Sequence, residues 1–356
     1  MSTVYFVDFN GRKDDSTMHK MERLCNASGL QQVIAPDDLT AVKLHFGELG
    51  NTRMLRPQFA KVMVRLIKEA GGQPFLTDCN TLFYRERFEG VRHLQTAAFN
   101  GFDQLGIGAP VIIADGLKGL DYRSVKAGPT LPEARIGAAI YEADALVVLT
   151  HFKGHDDVGF GGIIKNLGTG AIARSGKQII HSHLKANIDK TLCNFCGQCL
   201  GACSQNAIYQ DNTGYNILPD RCNQCGHCLV LCPQRAIPVQ WERDDTEMQK
   251  KLVESCQAVL KNKTDKAFFV SFLVDITAYC DCRSWSPLPI INDIGILAGT
   301  DPLSIEQASY DLVSQEIVQN RAGKDLRDFT GVDGSFMLQY AEETGLGSRE
   351  YQLVRV

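Results

Sequence analysis

Apolar positions along this chain follow two periodicities in turn. Strand-like runs lie at 4–8, 41–46, 74–78, 111–115 and 145–150, and between them apolar residues recur at helical spacing over 18–25, 59–70, 91–100 and 132–143. Strand, helix, strand in that order predicts a mainly parallel, doubly wound α/β sheet. The pattern breaks from Cys193 to Gln240, where short cysteine-rich loops replace the apolar runs. It resumes after Trp241 with a helix over 246–261, strands over 267–274 and near 294–297, and a helix from Pro302. The simplest organisation is one α/β domain made of 1–188 and 241–356, with a compact cysteine module at 189–240 inserted between the two parts.

Composition narrows the function class. The chain has 356 residues, 37 Lys+Arg against 41 Asp+Glu, and a formal charge of −4, which does not favour nucleic acid as a partner. Hydrophobic residues make up 44% and charged residues 22%, ordinary globular usage. No stretch approaches roughly 18 uninterrupted apolar residues, so no membrane insertion is expected. Met1 to Asp8 lack the basic-then-apolar order of a secretory signal, and a cytoplasmic location is the expectation. Eight of the thirteen cysteines fall between Cys193 and Cys232, and the odd total weighs against a secreted disulfide scaffold.

The spacing of those eight carries the strongest chemical signal. Cys193-x2-Cys196-x2-Cys199-x3-Cys203 is followed by Cys222-x2-Cys225-x2-Cys228-x3-Cys232-Pro233, the spacing of a two-cluster bacterial ferredoxin. The module thus reads as a small ferredoxin-like α+β iron–sulfur domain. Three thiolates two residues apart wrap one corner of a cube, and the fourth cysteine of each run ligates the other cube. Cys193, Cys196, Cys199 and Cys232 are expected to hold one [4Fe–4S] cluster, and Cys203, Cys222, Cys225 and Cys228 the second. Zinc ribbons or disulfides are the alternatives. Ser204 departs from the pattern where proline is usual, and His227, between two ligands, reads as a hydrogen-bonding neighbour that tunes potential. Within 190–240, Lys190, Arg221 and Arg235 face Asp211 and Asp220, so the module is not acidic as freely diffusing ferredoxins are. It reads as an embedded electron relay, and an exposed relay implies oxygen sensitivity and an anaerobic host.

Ligands of open α/β sheets bind beyond the carboxyl ends of the strands. Lys43 and His45, Asp78, Asp115, and Lys153 with His155 lie at or just after those ends, a polar density that points to a site. Residues 154–170 carry six glycines in seventeen positions. Gly159, Gly161, Gly162, Asn166 and Gly168, with Lys153 and Lys165 and a helix start near Gly162, are expected to cradle a carboxylate, a phosphate or another anion. The segment matches neither the Walker pattern nor Gly-x-Gly-x-x-Gly, so no nucleotide is implied. A solvated flexible loop is the plain alternative. His151 and His155, together with Cys280 and Cys282, are candidates for an additional metal, and the Cys-x-Cys pair alternatively for a redox-active thiol site or a substrate contact. Cys25 and Cys256 sit at helical spacing among apolar residues and read as core.

These residues resemble the family called domain of unknown function 362, in a form with an inserted two-cluster ferredoxin module. The resemblance rests on 43–48 (Lys-Leu-His-Phe-Gly-Glu), 75–78 with Tyr84, Arg87 and His93, Asp115-Gly116-Leu117, Lys153-Gly154-His155, 161–168, Cys280-Asp-Cys282, and the stretch from Pro289 to Asp301-Pro302. It implies an iron–sulfur protein and no defined reaction. The His-x-Lys-Gly-His and Gly-Phe-Gly-Gly stretch is also faintly similar to the lactate-racemase-type family, which uses a nickel-pincer cofactor.

Three functions compete at this level. In the first, a reductase passes low-potential electrons through two clusters to a small anionic substrate or an organic cofactor, with Lys43, His45, Lys153, His155 and Lys165 binding it and supplying protons, and Asp78 and Asp115 orienting them or holding a metal. Cys282 joins this candidate set as thiol or substrate contact. The second is a non-catalytic electron-transfer or maturation protein that docks a partner. The third is a metal-dependent isomerase or hydrolase with structural clusters. A redox partner protein or reductase is expected in the first two.

Overall fold

Every residue from Ala145 to His151 is buried, Leu146 and Val148 turned into one apolar core and Ala145, Val147 and Leu149 into another. A strand covered on both faces belongs in the middle of a sheet flanked by helices. The computed structural model describes residues 1–181, 186–222, 226–238 and 245–356. Cys225 and the predicted module end at 240–241 lie outside the described residues.

In chain order the strands are β1 (Ser2–Asp8), β2 (Leu39–Lys43), β3 (Gln73–Asp78), β4 (Val111–Ile113), β5 (Tyr122–Lys126), β6 (Glu133–Gly137), β7 (Ala145–His151), β8 (Lys153–His155), β9 (Gly159–Gly161), β10 (Ile208–Asp211), β11 (Gly214–Ile217), β12 (Ala267–Leu273), β13 (Gly295–Gly299) and β14 (Tyr351–Arg355). Eight form one sheet in the order β14-β1-β13-β12-β7-β2-β3-β4. β12, β7, β2, β3 and β4 run parallel to one another, as do β1 and β14; β13 alone is antiparallel to both strands beside it. The predicted α/β class and mostly parallel sheet are therefore present.

Helices cover both faces. Thr17–Ala27 and Pro57–Glu69 bury Met21, Leu24, Cys25, Phe59 and Met63 on one side. Asp245–Leu260 and Pro302–Asn320 bury Leu252, Cys256, Leu303 and Ile305 on the other. Cys25 and Cys256 are both fully buried, and burial pushes the Cys25 thiol up to about 12.

One predicted helix is strand over its first half. Over 132–143, Ala134 and Ile136 alternate with the solvent-facing Glu133, and β6 pairs antiparallel with β5. Only Ala138–Glu142 is helical, after Gly137 interrupts the run. The apolar positions 134, 136, 138 and 140 fit a period of two as well as a helix, and the hairpin partner decides.

β2, β3 and β4 step outward in one direction, and the chain then returns to place β7 on the other side of β2. The gap beyond the carboxyl ends of β2 and β7 is thus the topological switch point, where crossover loops diverge and leave a crevice. A separate small core joins Cys199, Ile208, Tyr215, Leu229 and Ile237 with Leu82, which comes from the loop after β3. Among the described residues no helix is long and apolar enough to cross a membrane.

Candidate active site

A cavity of about 340 Å³ opens at that switch point. Its walls come from the segments after four strands: His45 after β2; Asp78, Leu82 and Arg87 at and after β3; Lys153, His155, Gly161, Gly162, Lys165 and Asn166 after β7; Cys280 and Cys282 after β12. Lys177 and His181 enter from the helix Arg174–His181.

Beneath it lies a buried charge network. Lys43 Nζ sits 3.1 Å from Asp78 Oδ1 and donates to Asn166 Oδ1 at 2.7 Å. Asn166 Nδ2 in turn donates to Leu149 O and Thr150 Oγ1, tying β2 to β7. Arg87 reaches Asp78 Oδ2 at 3.5 Å and Glu48 Oε2 at 3.3 Å, while its Nη2 is buried with no hydrogen-bond partner among the described residues. Burial opposes the charge on Asp78, but Lys43, His93 and Arg87 hold its carboxyl below the usual range. Burial pulls Lys43 down despite Asp78. Leu44 O, Asn166 Oδ1 and Asp78 Oδ1 all lie within reach of Nζ, so the pair is an ammonium against a carboxylate. Burial also pushes His93 down to about 3.

A second network crosses the other wall. His151 Nδ1 lies 2.9 Å from Asp281 Oδ2 and its Nε2 2.7 Å from Val274 O. Lys153 Nζ lies 3.3 Å from the same Asp281 oxygen and donates to His151 O at 2.7 Å. Burial opposes the Lys153 charge, yet Asp281 and Cys280 raise its pKa. His45, half-buried, is pushed well below the ordinary histidine value by desolvation and then by the Arg87 charge, so it is neutral at pH 7.

His155 and the two cysteines meet at the cavity wall: a ring nitrogen and both sulfurs lie within 4.8 Å of one another. His155 Nδ1 accepts the Asp157 amide at 3.1 Å, which leaves Nε2 for the sulfurs. The Cys282 thiol, donating to Cys280, holds Cys280 well below the usual thiol range, with His155 adding to the effect; Cys282 is raised and keeps its proton. The predicted pairing of His151 with His155 does not form. Phe152 separates β7 from β8, and the two rings go to different partners.

The glycine segment differs from expectation. Its first half is a hairpin, β8 against β9, with Lys153 opposite Gly161. Its helix start is real, Ile163–Gly168, but the first amides are taken: Ile163 N donates to Glu306 Oε2 at 2.6 Å and Ile164 N to Glu306 Oε1 at 3.1 Å. A protein carboxylate therefore occupies the place predicted for a ligand anion. Gly162 lets Glu306 approach, and a Cβ there would collide with it. Gly161, Gly162 and Asn166 line the cavity, whereas Gly159 packs on Gly334 and Gly168 on the Leu252 carbonyl.

Of the other predicted residues, His45, Asp78, Lys153, His155, Lys165 and Cys282 line the cavity, and Lys43 lies just under it. Asp115 is elsewhere in role. Its Oδ1 accepts from Asn80 N and Nδ2, both at 2.9 Å, and its Oδ2 from Arg174 N at 2.8 Å, so this buried carboxylate organises loops. Sequence reasoning missed Lys177 and Asp281. Arg174, Lys177 and His181 form a polar stripe at helical spacing that could have signalled the first; nothing in the pattern marks Asp281 beyond its place between two cysteines.

In the module, Cys193, Cys196, Cys199 and Cys232 line one small cavity, and Cys203, Cys222 and Cys228 line another. Ala207 N and Ala236 N donate to Cys203 Sγ and Cys232 Sγ, each at 3.2 Å, at matching positions of the two runs. His227 Nε2 lies 3.3 Å from Tyr122 Oη. The loop after β3 joins this region to the main cavity: Tyr84 Oη donates to Leu229 O at 3.2 Å, and Leu82 both lines the main cavity and packs in the core with Cys199.

These features define an α/β protein with a cavity of small-molecule size at its switch point. The chain belongs to the family described as Domain of unknown function (DUF362), which matches residues 40–311. No match to a curated protein was found. Among solved structures, the chain is similar to the lactate racemase apoprotein from Thermoanaerobacterium thermosaccharolyticum, at 11% identity and TM-score 0.47, over 89% of this chain and 58% of that one. It is also similar to a protein from Thermotoga maritima, at 8% identity and TM-score 0.37, over 80% of this chain and 56% of that one. The chain thus spans less than two thirds of the length of either structure.

Proposed function

We propose that this protein is an iron–sulfur reductase in which the cysteine module, acting as an inserted ferredoxin-like domain at 189–240, feeds electrons to a small anionic substrate or cofactor in the switch-point cavity. The residues present fit two [4Fe–4S] clusters. The seven described sulfurs divide between two cavities in the crossed ligand pattern, with Cys232 joining the first run and Cys203 the second. Amides donating to Cys203 and Cys232 would stabilise thiolate charge there. When bound, such clusters supply electrons one at a time.

The single observation that carries the reading is Leu82, one side chain that belongs both to the module core and to the cavity wall. It supports a short path between the two. On the cavity side, Arg87 Nη2 is buried and unpaired, and Lys165 makes no ion pair among the described residues. Asp78 and Glu48 meet the Arg87 charge, but a buried donor left unmade is costly, and Nη2 together with the half-buried Lys165 ammonium favours an anion. Lys153 and neutral His45 can orient the bound group and move protons.

A second reading, an electron-transfer or maturation protein, draws on Leu192, Phe195, Leu200 and Tyr209, exposed apolar side chains of the module that would suit a docking redox partner. One experiment separates the two. Protein purified without oxygen is assayed for iron and sulfide, and its denatured supernatant for released small molecules. About eight irons with a released anion, lost in Arg87→Ala, supports the reductase. About eight irons with nothing bound, in wild type and variant alike, favours the partner-docking reading, and protein without cluster iron refutes both.

A further inference from the structure

The Cys280–Asp281–Cys282 turn divides its three side chains between two sides. Asp281 turns to His151 Nδ1 and Lys153 Nζ, and its carbonyl accepts Glu48 N at 3.0 Å, which fixes the backbone. The two cysteines therefore face the cavity together, and the Cys282 amide donates to Cys280 Sγ at 3.4 Å. His155 completes the group. With Nδ1 accepting the Asp157 amide, the ring proton sits on Nε2, which offers the sulfurs a donor in place of a metal-binding lone pair. A thiolate receiving an N–H from histidine and an amide, next to a thiol two residues away, is an arrangement for nucleophilic sulfur chemistry with a built-in resolving group.

We propose that Cys280 and Cys282 are a redox-active dithiol that reduces a small anionic disulfide bound in the cavity. This names the substrate class of the reductase and rests on that reading for the electrons that reset the pair. The Cys280 thiolate attacks one sulfur of R–S–S–R; the substrate S–S bond breaks, a Cys280–S–S–R bond forms, and the departing thiolate takes a proton from solvent. Cys282 then attacks the Cys280 sulfur, closing the intramolecular disulfide, and its proton leaves with the second thiol. The substrate has gained two electrons and the pair has lost two. Two electrons from a one-electron donor of the ferredoxin or viologen class, with one proton, restore thiolate and thiol. The anionic character follows from Arg87 Nη2 and Lys165, and the size from a cavity that holds a small molecule.

The test uses the full-length protein, purified without oxygen and equilibrated with mixtures of reduced and oxidised glutathione. After acid quenching and alkylation, mass spectrometry reads the peptide that contains both cysteines. The expected result is a doubly alkylated peptide at the reducing end and an internal disulfide at the oxidising end, with Cys25 and Cys256 unreacted before unfolding. Cys282→Ser should stop at one glutathione on Cys280. A peptide that stays a dithiol at every poise overturns the proposal, as does Cys280 in Cys282→Ser gaining glutathione no faster than Cys256. A non-iron metal at one per chain that disappears in Cys282→Ser also overturns it. Iron and sulfide measured on the same samples keep the two readings apart: normal iron with inert thiols sinks only the dithiol, and missing iron with intact exchange sinks only the electron supply.

Discussion

Glu306 caps the helix Ile163–Gly168 from across the core, its Oε2 2.6 Å from Ile163 N and its Oε1 3.1 Å from Ile164 N. This explains why a glycine-rich turn followed by a helix is not an anion site here. Burial raises the carboxyl to about 7, with the two amides and Lys153 acting in the opposite direction. A folded-state pKa above the unfolded value contributes stability that is complete below about 4.5 and is lost as pH rises through about 7, a span of about 3 kcal/mol. Glu306→Gln removes the titration. The thermal midpoint of the wild type relative to this variant should therefore fall between pH 5 and pH 8, and a pH-independent difference would count against the assignment.

Lys43 and Asp78 are both buried, but they are not equally exchangeable. Lys43→Met leaves Asp78 with Arg87, whereas Asp78→Asn leaves Lys43 without a carboxylate and Arg87 with Glu48 alone. Breaking a buried pair by removing one partner costs on the order of 3–5 kcal/mol. Asp78→Asn should cost more than Lys43→Met, and Lys43→Met with Asp78→Asn less than the sum of the singles. Denaturant unfolding of the four proteins reads both inequalities.

The alternation of strands and helices made the α/β class legible, since a run such as Ala145–Thr150 reports burial on both faces directly. Strand ends also led to the cavity, because parallel strands put Lys43, Asp78 and His151 at one edge. Asp115 shares that edge, yet its oxygens are filled by Asn80 and Arg174, partners fixed only by tertiary packing. The same limit hid Glu306, which lies far along the chain from the amides it caps, and Asp281, whose role depends on His151 and Lys153 being brought to it.

Leu82, 1% exposed, belongs to the module core and lines the main cavity. Truncation to alanine leaves a void on the module side and weakens the seating of Tyr84 on Leu229. Core leucine truncations cost about 2–5 kcal/mol. Leu82→Ala should speed proteolysis within 189–240 while leaving hydrogen-exchange protection of β7 and β12 near wild type. Equal loss of protection in the sheet would mean that the two cores do not open separately.

Lys165 and Lys153 offer a sharper contrast at the cavity itself. Lys165 is half-buried and unpaired among the described residues, so Lys165→Ala should change stability by less than about 0.5 kcal/mol. Lys153 holds the Asp281 carboxylate and the His151 carbonyl, and Lys153→Ala leaves buried acceptors unmade, costing about 1–3 kcal/mol. Their effects on anion capture should be closer to equal, since each removes one charge facing the same space. A charged hydrogen bond contributes about 1.5–3 kcal/mol, so loss of either should weaken binding of a small anion at least about tenfold. Thermal midpoints in increasing phosphate read both quantities at once: the starting midpoint reports stability, and the rise with phosphate reports affinity. Wild-type protein should show a rise that both variants lack, from a normal starting point in Lys165→Ala and a lowered one in Lys153→Ala. An undiminished rise in Lys165→Ala would place the anion elsewhere in the cavity and shift the binding role to Arg87.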